Sequence, residues 1–152
     1  DPAGGGFFYT ASDHEKLLTR IKELTDSSVP SGNALAATAL LRLGQLSGRK
    51  DYLDAATKTL VAATPIMQRA PMAGGQMLLA LDRLLGPSHE LVLAGSAANA
   101  DARNVNAAIT RRFLPRSILA VRITDANVAR HHSPQLDELF AGRQSPSGEP
   151  VP

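Results

Sequence analysis

The sequence contains no cysteine, and this absence excludes several kinds of chemistry. Without a thiol the chain forms no disulfide, supplies no thiolate to a metal and offers no thiol nucleophile or redox centre. The one pair of adjacent histidines, His131 and His132, would point in opposite directions on an extended segment, with no acidic or third histidine ligand at a suitable spacing. We therefore predict no metal site and no cofactor.

Aromatic residues are scarce as well, at 4% of the chain with no tryptophan. Because bases and sugar rings stack on such side chains, a carbohydrate site built by this chain alone would be poorly equipped. Charge is nearly balanced, with 16 Lys and Arg against 14 Asp and Glu. The net charge of +2 does not make a basic patch, so we predict no nucleic-acid partner.

Long hydrophobic runs are also missing. No stretch approaches the roughly eighteen apolar residues of a membrane span, and no basic segment precedes an apolar one as in a signal peptide. We predict a soluble, cytoplasmic chain with no membrane partner. The 152 residues, 43% of them hydrophobic, can bury one sizeable core. Because the chain starts at Asp1 and ends in the loop-like RQSPSGEPVP, we expect a fragment of a longer protein.

The first part of the chain predicts a β-hairpin. The apolar stretches FFYT at 7–10 and LLTRIK at 17–22 flank the polar ASDHE, and three glycines at 4–6 favour a tight or bulged approach. A helix from His14 to Leu24 stays open as the alternative, because the apolar residues there also follow helical spacing.

The next stretch, DSSVPSGNALAATALLRL, predicts a polar loop that leads into a buried helix. Ser31 can cap this helix with its hydroxyl group, and Gly48 marks its end. Apolar residues form two stripes along it. One stripe consists of Leu35, Ala39, Leu43 and Leu46, and the other of Ala34, Ala37, Leu41 and Gly44. This pattern predicts a helix that is packed on two sides.

Two further helices are predicted over about 50–63 and 72–85, the second ending at Gly86. Between them, Thr64 and Pro65 match an N-cap followed by a proline at the first helical position, so we expect a separate turn to start there. Consecutive helices joined by short links are typical of an array of helical hairpins.

After Pro87 the pattern changes. Short apolar runs at 90–95 and 117–123 flank an amphipathic helix that begins near Asp101, which predicts a β-α-β unit with parallel strands. Beyond these runs, SPQLDELFAG predicts one short helix capped by Ser133, followed by a flexible tail.

Three polar residues in the loop before the buried helix are candidates for ligand binding. The Ser31 hydroxyl, the Asn33 amide and the free N–H groups of a helix N-terminus could surround an anionic or hydroxylated ligand. Asp26 lies close by in the sequence and could serve as a general acid or base. The alternative is a loop and N-cap that only start the helix. A second stretch, AGSAANAD at 94–101, lies where α/β proteins bind phosphates but lacks the glycine fingerprint.

Several segments together resemble the C-terminal part of a known family. They are GGGFFYT, DSSVPSGNALAATALLRLGQLSG, YLDAATKTLVAATPIMQRAP, ELVLAG and RRFLPRSILAV. In this order they are similar to the spermatogenesis-associated protein 20-like family of large thioredoxin-domain-containing proteins, over about 4–121. Typical members have Asp-Gly-Ala before Pro-Ser-Gly-Asn, where this chain has DSSV at 26–29, and a proline where Ile21 stands.

The resemblance implies a fold. Members carry an N-terminal thioredoxin-like domain and a six-hairpin α/α toroid similar to that of N-acylglucosamine 2-epimerases and some glycoside hydrolases. We therefore expect a mainly α chain with a small α/β element. Residues 1–87 would hold the β-hairpin and closing helices of a partial (α/α)6 toroid, 88–123 the β-α-β unit, and 124–152 the short helix and tail.

Two functions follow as hypotheses. In the first, the toroid of the longer protein binds or processes a carbohydrate-like ligand, with Asp26, Ser31 and Asn33 lining its cavity and an activity like that of an epimerase or a glycosidase. In the second, the toroid is a noncatalytic scaffold that supports the thioredoxin domain. The expected partners are this small molecule and the remainder of the longer chain, and exposed apolar faces would favour self-association of the fragment.

Overall fold

The computed structural model describes residues 1–13, 15, 18–123 and 134–141, and in this part the chain is mostly helical. Two compact units are present. The first comprises Asp1–Gln45 and Arg49–Gly86, and the second comprises Leu46–Gly48 and Pro87–Pro152. The predictions for His131, His132, Ser133 and the tail after residue 141 lie outside the described residues.

Three helices form the core of the first unit. α1 spans Gly32–Ser47, α2 spans Lys50–Arg69, and α3 spans Gly75–Leu85 after a 3-10 turn at Pro71–Gly74. Their buried apolar side chains form one cluster. It consists of Ala34, Ala37, Leu41, Ala56, Leu60, Ala63, Met77 and Ala80. Small residues dominate this cluster, which allows the helix axes to approach closely.

Only one of the two apolar stripes of α1 is buried within this unit. Ala34, Ala37 and Leu41 are almost completely buried, whereas Leu35 and Leu43 on the other stripe are 50% and 48% exposed. The packing expected for this second stripe is therefore not seen at Leu35 and Leu43. The side with small residues packs against α2 and α3.

α2 continues through Pro65, so the separate turn expected at Thr64 does not form. The proline lacks the N–H that would bond to the carbonyl of Val61, while the hydroxyl of Thr64 donates to the neighbouring carbonyl of Leu60 at 3.3 Å. Met67, beyond the proline, packs against the core cluster. Tertiary packing thus holds the last turns of α2 in helical form.

The predicted β-α-β unit is confirmed. β1 (His89–Gly95) and β2 (Ser117–Ile123) pair in parallel, with Leu91 opposite Leu119, and α4 (Ala100–Thr110) connects them. A 3-10 turn at Pro134–Leu136 leads into the short α5, Asp137–Phe140. Leu139 and Phe140 of α5 pack with Ala120 of β2 in a small second core.

Candidate functional site

Two extended segments lie side by side before α1. The backbone N–H of Tyr9 donates to the carbonyl of Ile21 at 2.8 Å. The Arg20 guanidinium lies over the ring of Phe8, 4.1 Å from its centroid. These two contacts hold the segments against each other.

In the described parts of 7–10 and 17–22 the predicted β-hairpin does not form as a strand pair, and no helix forms over 18–24. The side chain of Asn33 interrupts the pairing. Its Oδ1 accepts from the N–H of Phe7 at 2.6 Å, and its Nδ2 donates to the carbonyls of Phe7 at 3.0 Å and Glu23 at 2.7 Å. The amide therefore stands between the two segments where the next ladder hydrogen bonds would be.

The side chain of Asn33 holds the backbone of this region in place. The residue is only 3% exposed, and three hydrogen bonds from its side chain to backbone groups use both amide hydrogens and one lone pair of the oxygen. A buried side chain of this kind is costly to remove, because each backbone partner would be left unsatisfied. The first turn of α1 is thus joined to both extended segments.

Two of the three glycines at 4–6 allow this part of the chain to pass close to the helices. Gly5 and Gly6 adopt φ angles of 67° and 71°, which residues with a side chain rarely adopt. A Cβ at Gly5 would lie 2.3 Å from the carbonyl oxygen of Lys58, and one at Gly6 would lie 3.0 Å from Oδ1 of Asn33. The glycine cluster is therefore a packing requirement of the site.

Asp26 joins the N-termini of two helices. Its Oδ1 accepts from the N–H of Ser31 and its Oδ2 from the N–H of Gln76, both at 2.8 Å, and its own N–H donates to the carbonyl of Ala73. A carboxylate in this position also offsets the positive end of each helix dipole. The side chain thus connects the start of α1 with the start of α3.

Ser31 acts as the N-cap of α1, as predicted. Its hydroxyl oxygen accepts from the N–H of Ala34 at 3.2 Å, and the residue is only 3% exposed. The N–H groups of Gly32 and Asn33 make no hydrogen bond within the part of the chain that the structure describes. Two backbone donors therefore remain at this end of α1.

A cleft of about 400 Å³ opens at this end of α1. Its walls combine the aromatic segment, the loop before α1 and the first turn of the helix. They consist of Phe7, Phe8, Tyr9, Glu23, Thr25, Ser27, Val29, Pro30, Ser31, Gly32 and Asn33. Of the three candidate residues, the structure places Ser31 and Asn33 in the cleft wall, and Asp26 one hydrogen bond behind it.

Residues of the cleft that the sequence did not single out are the aromatic side chains and Glu23. The low aromatic content suggested a poor carbohydrate site, yet two of the four phenylalanines and one of the two tyrosines line this one cleft. The sequence analysis paired 7–10 with 17–22 but set no register, and it is the bond between Tyr9 and Ile21 in the structure that places Glu23 opposite Phe7.

The start of α4 differs from the start of α1. Asn99 accepts from the N–H groups of Asp101 and Ala102 at 2.8 and 3.2 Å, and Arg103 donates to the carbonyl of Ala97 at 2.7 Å. Two of the N–H groups that could hold a phosphate, those of Asp101 and Ala102, are thus already bonded to Asn99. A cavity of about 200 Å³ beside this turn has mostly apolar walls.

Charged groups outside the cleft show two distinct environments. Burial lowers the pKa of Arg83, with a smaller effect from Arg42, and Arg83 donates to the side-chain oxygen of Gln45 at 2.8 Å. At the exposed start of α2, a hydrogen bond from Arg49 lowers the pKa of Asp51. Within the described ranges, no three His, Asp or Glu side chains are grouped so that they could hold a metal ion.

The chain is similar to part of spermatogenesis-associated protein 20. The mouse protein is 28% identical over 145 residues, the rat protein 30% over 140 and the human protein 29% over 145. These alignments include 91 to 95% of this chain but only 18% of each relative, so the chain spans about a fifth of their length. They support the family relationship that the sequence motifs indicated.

No known family profile matches the chain, and no solved structure matches it. The toroid and the thioredoxin domain that the resemblance implies therefore stay predictions. Across the described residues, no helix combines the length and apolarity that crossing a bilayer requires. The cytoplasmic location remains a prediction.

Proposed function

We propose that the cleft at the start of α1 binds a small hydroxylated ligand of the carbohydrate type. One observation carries this proposal: aromatic side chains and unused polar groups meet around a space of about 400 Å³. Tyr9 is 82% exposed and Phe7 is 42% exposed, so both present ring surface to solvent. Exposed rings of this kind form stacking surfaces for the C–H faces of a sugar.

The polar groups of the cleft suit hydroxyl groups. The N–H groups of Gly32 and Asn33 can donate to a ligand oxygen, and the side chains of Thr25 and Ser27 can either donate or accept. Asn33 and Asp26 hold the surrounding backbone and do not need to touch the ligand. The site is thereby preorganised, which lowers the entropic cost of binding.

In the longer proteins of this family, we propose that the chain supplies the closing hairpins of an α/α toroid and that the cleft faces its cavity. Both carboxylate oxygens of Asp26 accept from backbone N–H groups. This arrangement supports a role in positioning rather than in proton transfer. An epimerase-like or glycosidase-like reaction would then need acidic or basic groups from elsewhere in the longer protein.

A titration of the ¹⁵N-labelled chain with neutral monosaccharides, followed by NMR, tests the binding proposal. We expect saturable shifts at Tyr9, Gly32 and Asn33. Replacing Tyr9 with alanine should weaken binding about tenfold, because a stacked ring contributes about 1 to 3 kcal/mol. Phe113→Ala is the matched control, since Phe113 is 90% exposed and does not line the cleft. Absence of shifts with every sugar would contradict the proposal.

The scaffold remains a second candidate, and the exposed stripe of α1 favours it. Leu35 and Leu43 present an apolar face that suits packing against another helix. A glycan array probed with the chain distinguishes the two functions. A specific, saturable sugar signal would contradict a purely noncatalytic packing role, whereas a blank array would support it.

A further inference from the structure

We infer that the cleft selects a positively charged ligand, an amino sugar in preference to a neutral or an acidic sugar. This inference rests on the proposed function and adds the charge of the ligand to it. It follows from the carboxylates, cations and aromatic rings around the cleft.

Glu23 places a carboxylate in the cleft wall. Its backbone is held by the bond from Asn33 at 2.7 Å, and its side chain is exposed. The carboxylate makes no hydrogen bond or ion pair within the described residues. It is therefore available to a ligand, and a ligand ammonium group is the partner with which it would interact most strongly.

Asp26 adds a second negative charge behind the wall. Its Oδ1 lies 2.8 Å from the N–H of Ser31, which lines the cleft. Helix N-termini usually favour anions, because the helix dipole places partial positive charge there. Here a carboxylate already occupies this position for both α1 and α3, so an anionic ligand would gain little from the dipole and would be repelled by Glu23.

Two cations lie beside the cleft, because the guanidinium of Arg20 and the ammonium of Lys22 lie 4.1 and 5.0 Å from the ring centroid of Phe8. Both are already hydrogen-bonded, Arg20 to the carbonyl of Thr10 and Lys22 to the carbonyl of Gly5 and to Asp1. None of the described residues that line the cleft is basic. Among these lining residues, Glu23 is therefore the one that carries a charge.

The aromatic rings favour the same ligand. The face of a Phe or Tyr ring attracts a cation within about 6 Å. Phe8 shows this behaviour within the chain, since the guanidinium of Arg20 lies 4.1 Å from its centroid. Phe7 and Tyr9 are exposed and line the cleft, so they can offer a ligand ammonium the same contact.

A competition between three sugars of similar size tests the inference. 2-Amino-2-deoxyglucose, glucose and glucuronate are titrated separately into the ¹⁵N-labelled full chain at mildly acidic pH, where the amine is protonated. We expect the amino sugar to bind about fivefold more tightly than glucose, as one partly screened charge pair would give. Glucuronate should bind more weakly than glucose, and added salt should reduce both differences.

Glu23→Gln identifies the residue responsible. This variant should lose most of the preference for the amino sugar while still binding glucose. Glu90→Gln is the control, because it changes the net charge equally and Glu90 does not line the cleft. A preference that persists in Glu23→Gln would overturn the assignment to this carboxylate.

The outcomes separate the two proposals. If none of the three sugars binds, the proposed function fails. If glucose binds as tightly as the amino sugar, or glucuronate binds more tightly, the proposed function stands and the charge selectivity is overturned.

Discussion

The starts of α1 and α4 are both capped by a side chain, but only at α1 do further hydrogen bonds join the helix start to residues far away along the chain. At α4 a single residue, Asn99, accepts from the N–H groups two and three positions further along the chain. At α1 the Ser31 hydroxyl also caps locally, but Asn33 bonds to residues 10 and 26 positions away and Asp26 reaches Gln76, 50 positions away. The local cap at α4 stabilises one turn of helix, whereas the long-range bonds at α1 hold several segments of the chain together.

This difference determines which backbone groups at each helix start are left for a ligand. At α4, Asn99 already accepts from the N–H groups of Asp101 and Ala102. At α1, the N–H groups of Gly32 and Asn33 make no hydrogen bond within the described residues, and the long-range bonds of Asn33 hold the segments of Phe7 and Glu23 beside the helix. The following substitutions test this contrast.

Asn33→Ala should have the largest effect. It removes three hydrogen bonds and leaves buried backbone groups without partners, so we expect a loss of about 4 kcal/mol in the free energy of unfolding. Urea denaturation followed by circular dichroism measures it. Asn33→Asp keeps an acceptor for Phe7 but loses both donors. Its free energy of unfolding should lie between those of the unchanged protein and the alanine variant. If the alanine variant lost less than about 1 kcal/mol in the free energy of unfolding, Asn33 would not be the residue that holds these segments together.

Gly5→Ala should rank second, at about 3 kcal/mol, because a Cβ would meet the Lys58 carbonyl in a backbone conformation that alanine disfavours. Gly32→Ala is the control in the same denaturation experiment. No atom lies within 4 Å of a Cβ at Gly32, and alanine favours helix, so its stability should be equal or slightly greater. Equal losses in the two variants would contradict the close approach.

Asp26→Asn should cost about 2 kcal/mol, because one charge-assisted bond is lost and the other weakened. The effect that identifies its role should appear at two helix starts at once. Amide hydrogen exchange should accelerate at both Ser31 and Gln76, although 45 positions separate them in the sequence. Faster exchange at Ser31 alone would show that Asp26 is a local cap like Asn99.

Asn99→Ala should cost about 1 kcal/mol, the usual value for an N-cap. Faster amide exchange should be confined to the first turn of α4, while the amides of the cleft stay unchanged. Asn99→Asp, which can cap in the same way, should retain most of the stability. A change in exchange at Ser31 would contradict the local nature of this cap.

Asp51→Asn should have the smallest effect, since the Arg49–Asp51 pair is fully exposed. The direction in which this small contribution changes with pH is nevertheless defined. Arg49 lowers the pKa of Asp51, so the contribution is present above the ordinary carboxyl pKa and is lost as the pH falls through the lower, folded-state pKa. Thermal melts at neutral pH should coincide for the two proteins, and a clear shift would show that the pair matters to α2.

Local signals in the sequence predicted much of the fold. Gly48 and Gly86 mark the ends of α1 and α3, and the two apolar runs after Pro87 form the parallel strands. The failures are all non-local. Packing of Met67 carries α2 past its proline, and no pattern within α1 indicates which apolar stripe finds neighbours.

Of the residues singled out from the sequence, Ser31 and Asn33 line the cleft. Nothing near Asn33 in the sequence indicates that its hydrogen-bond partners would be Phe7 and Glu23. Much of the cleft wall is formed by residues that had been interpreted as parts of a hairpin. Partners many residues apart are fixed by the tertiary fold, so spacing along the chain does not reveal them.

The two bonds of the Asp26 carboxylate also impose an order of events during synthesis. The bond to Ser31 can form as soon as that loop has left the ribosome, whereas the bond to Gln76 must wait for about forty-five more residues. Closing that larger loop carries a greater entropic cost. The wall behind the cleft is therefore completed late, and a nascent chain that ends before α3 holds the Ser31 loop by one of its two anchors.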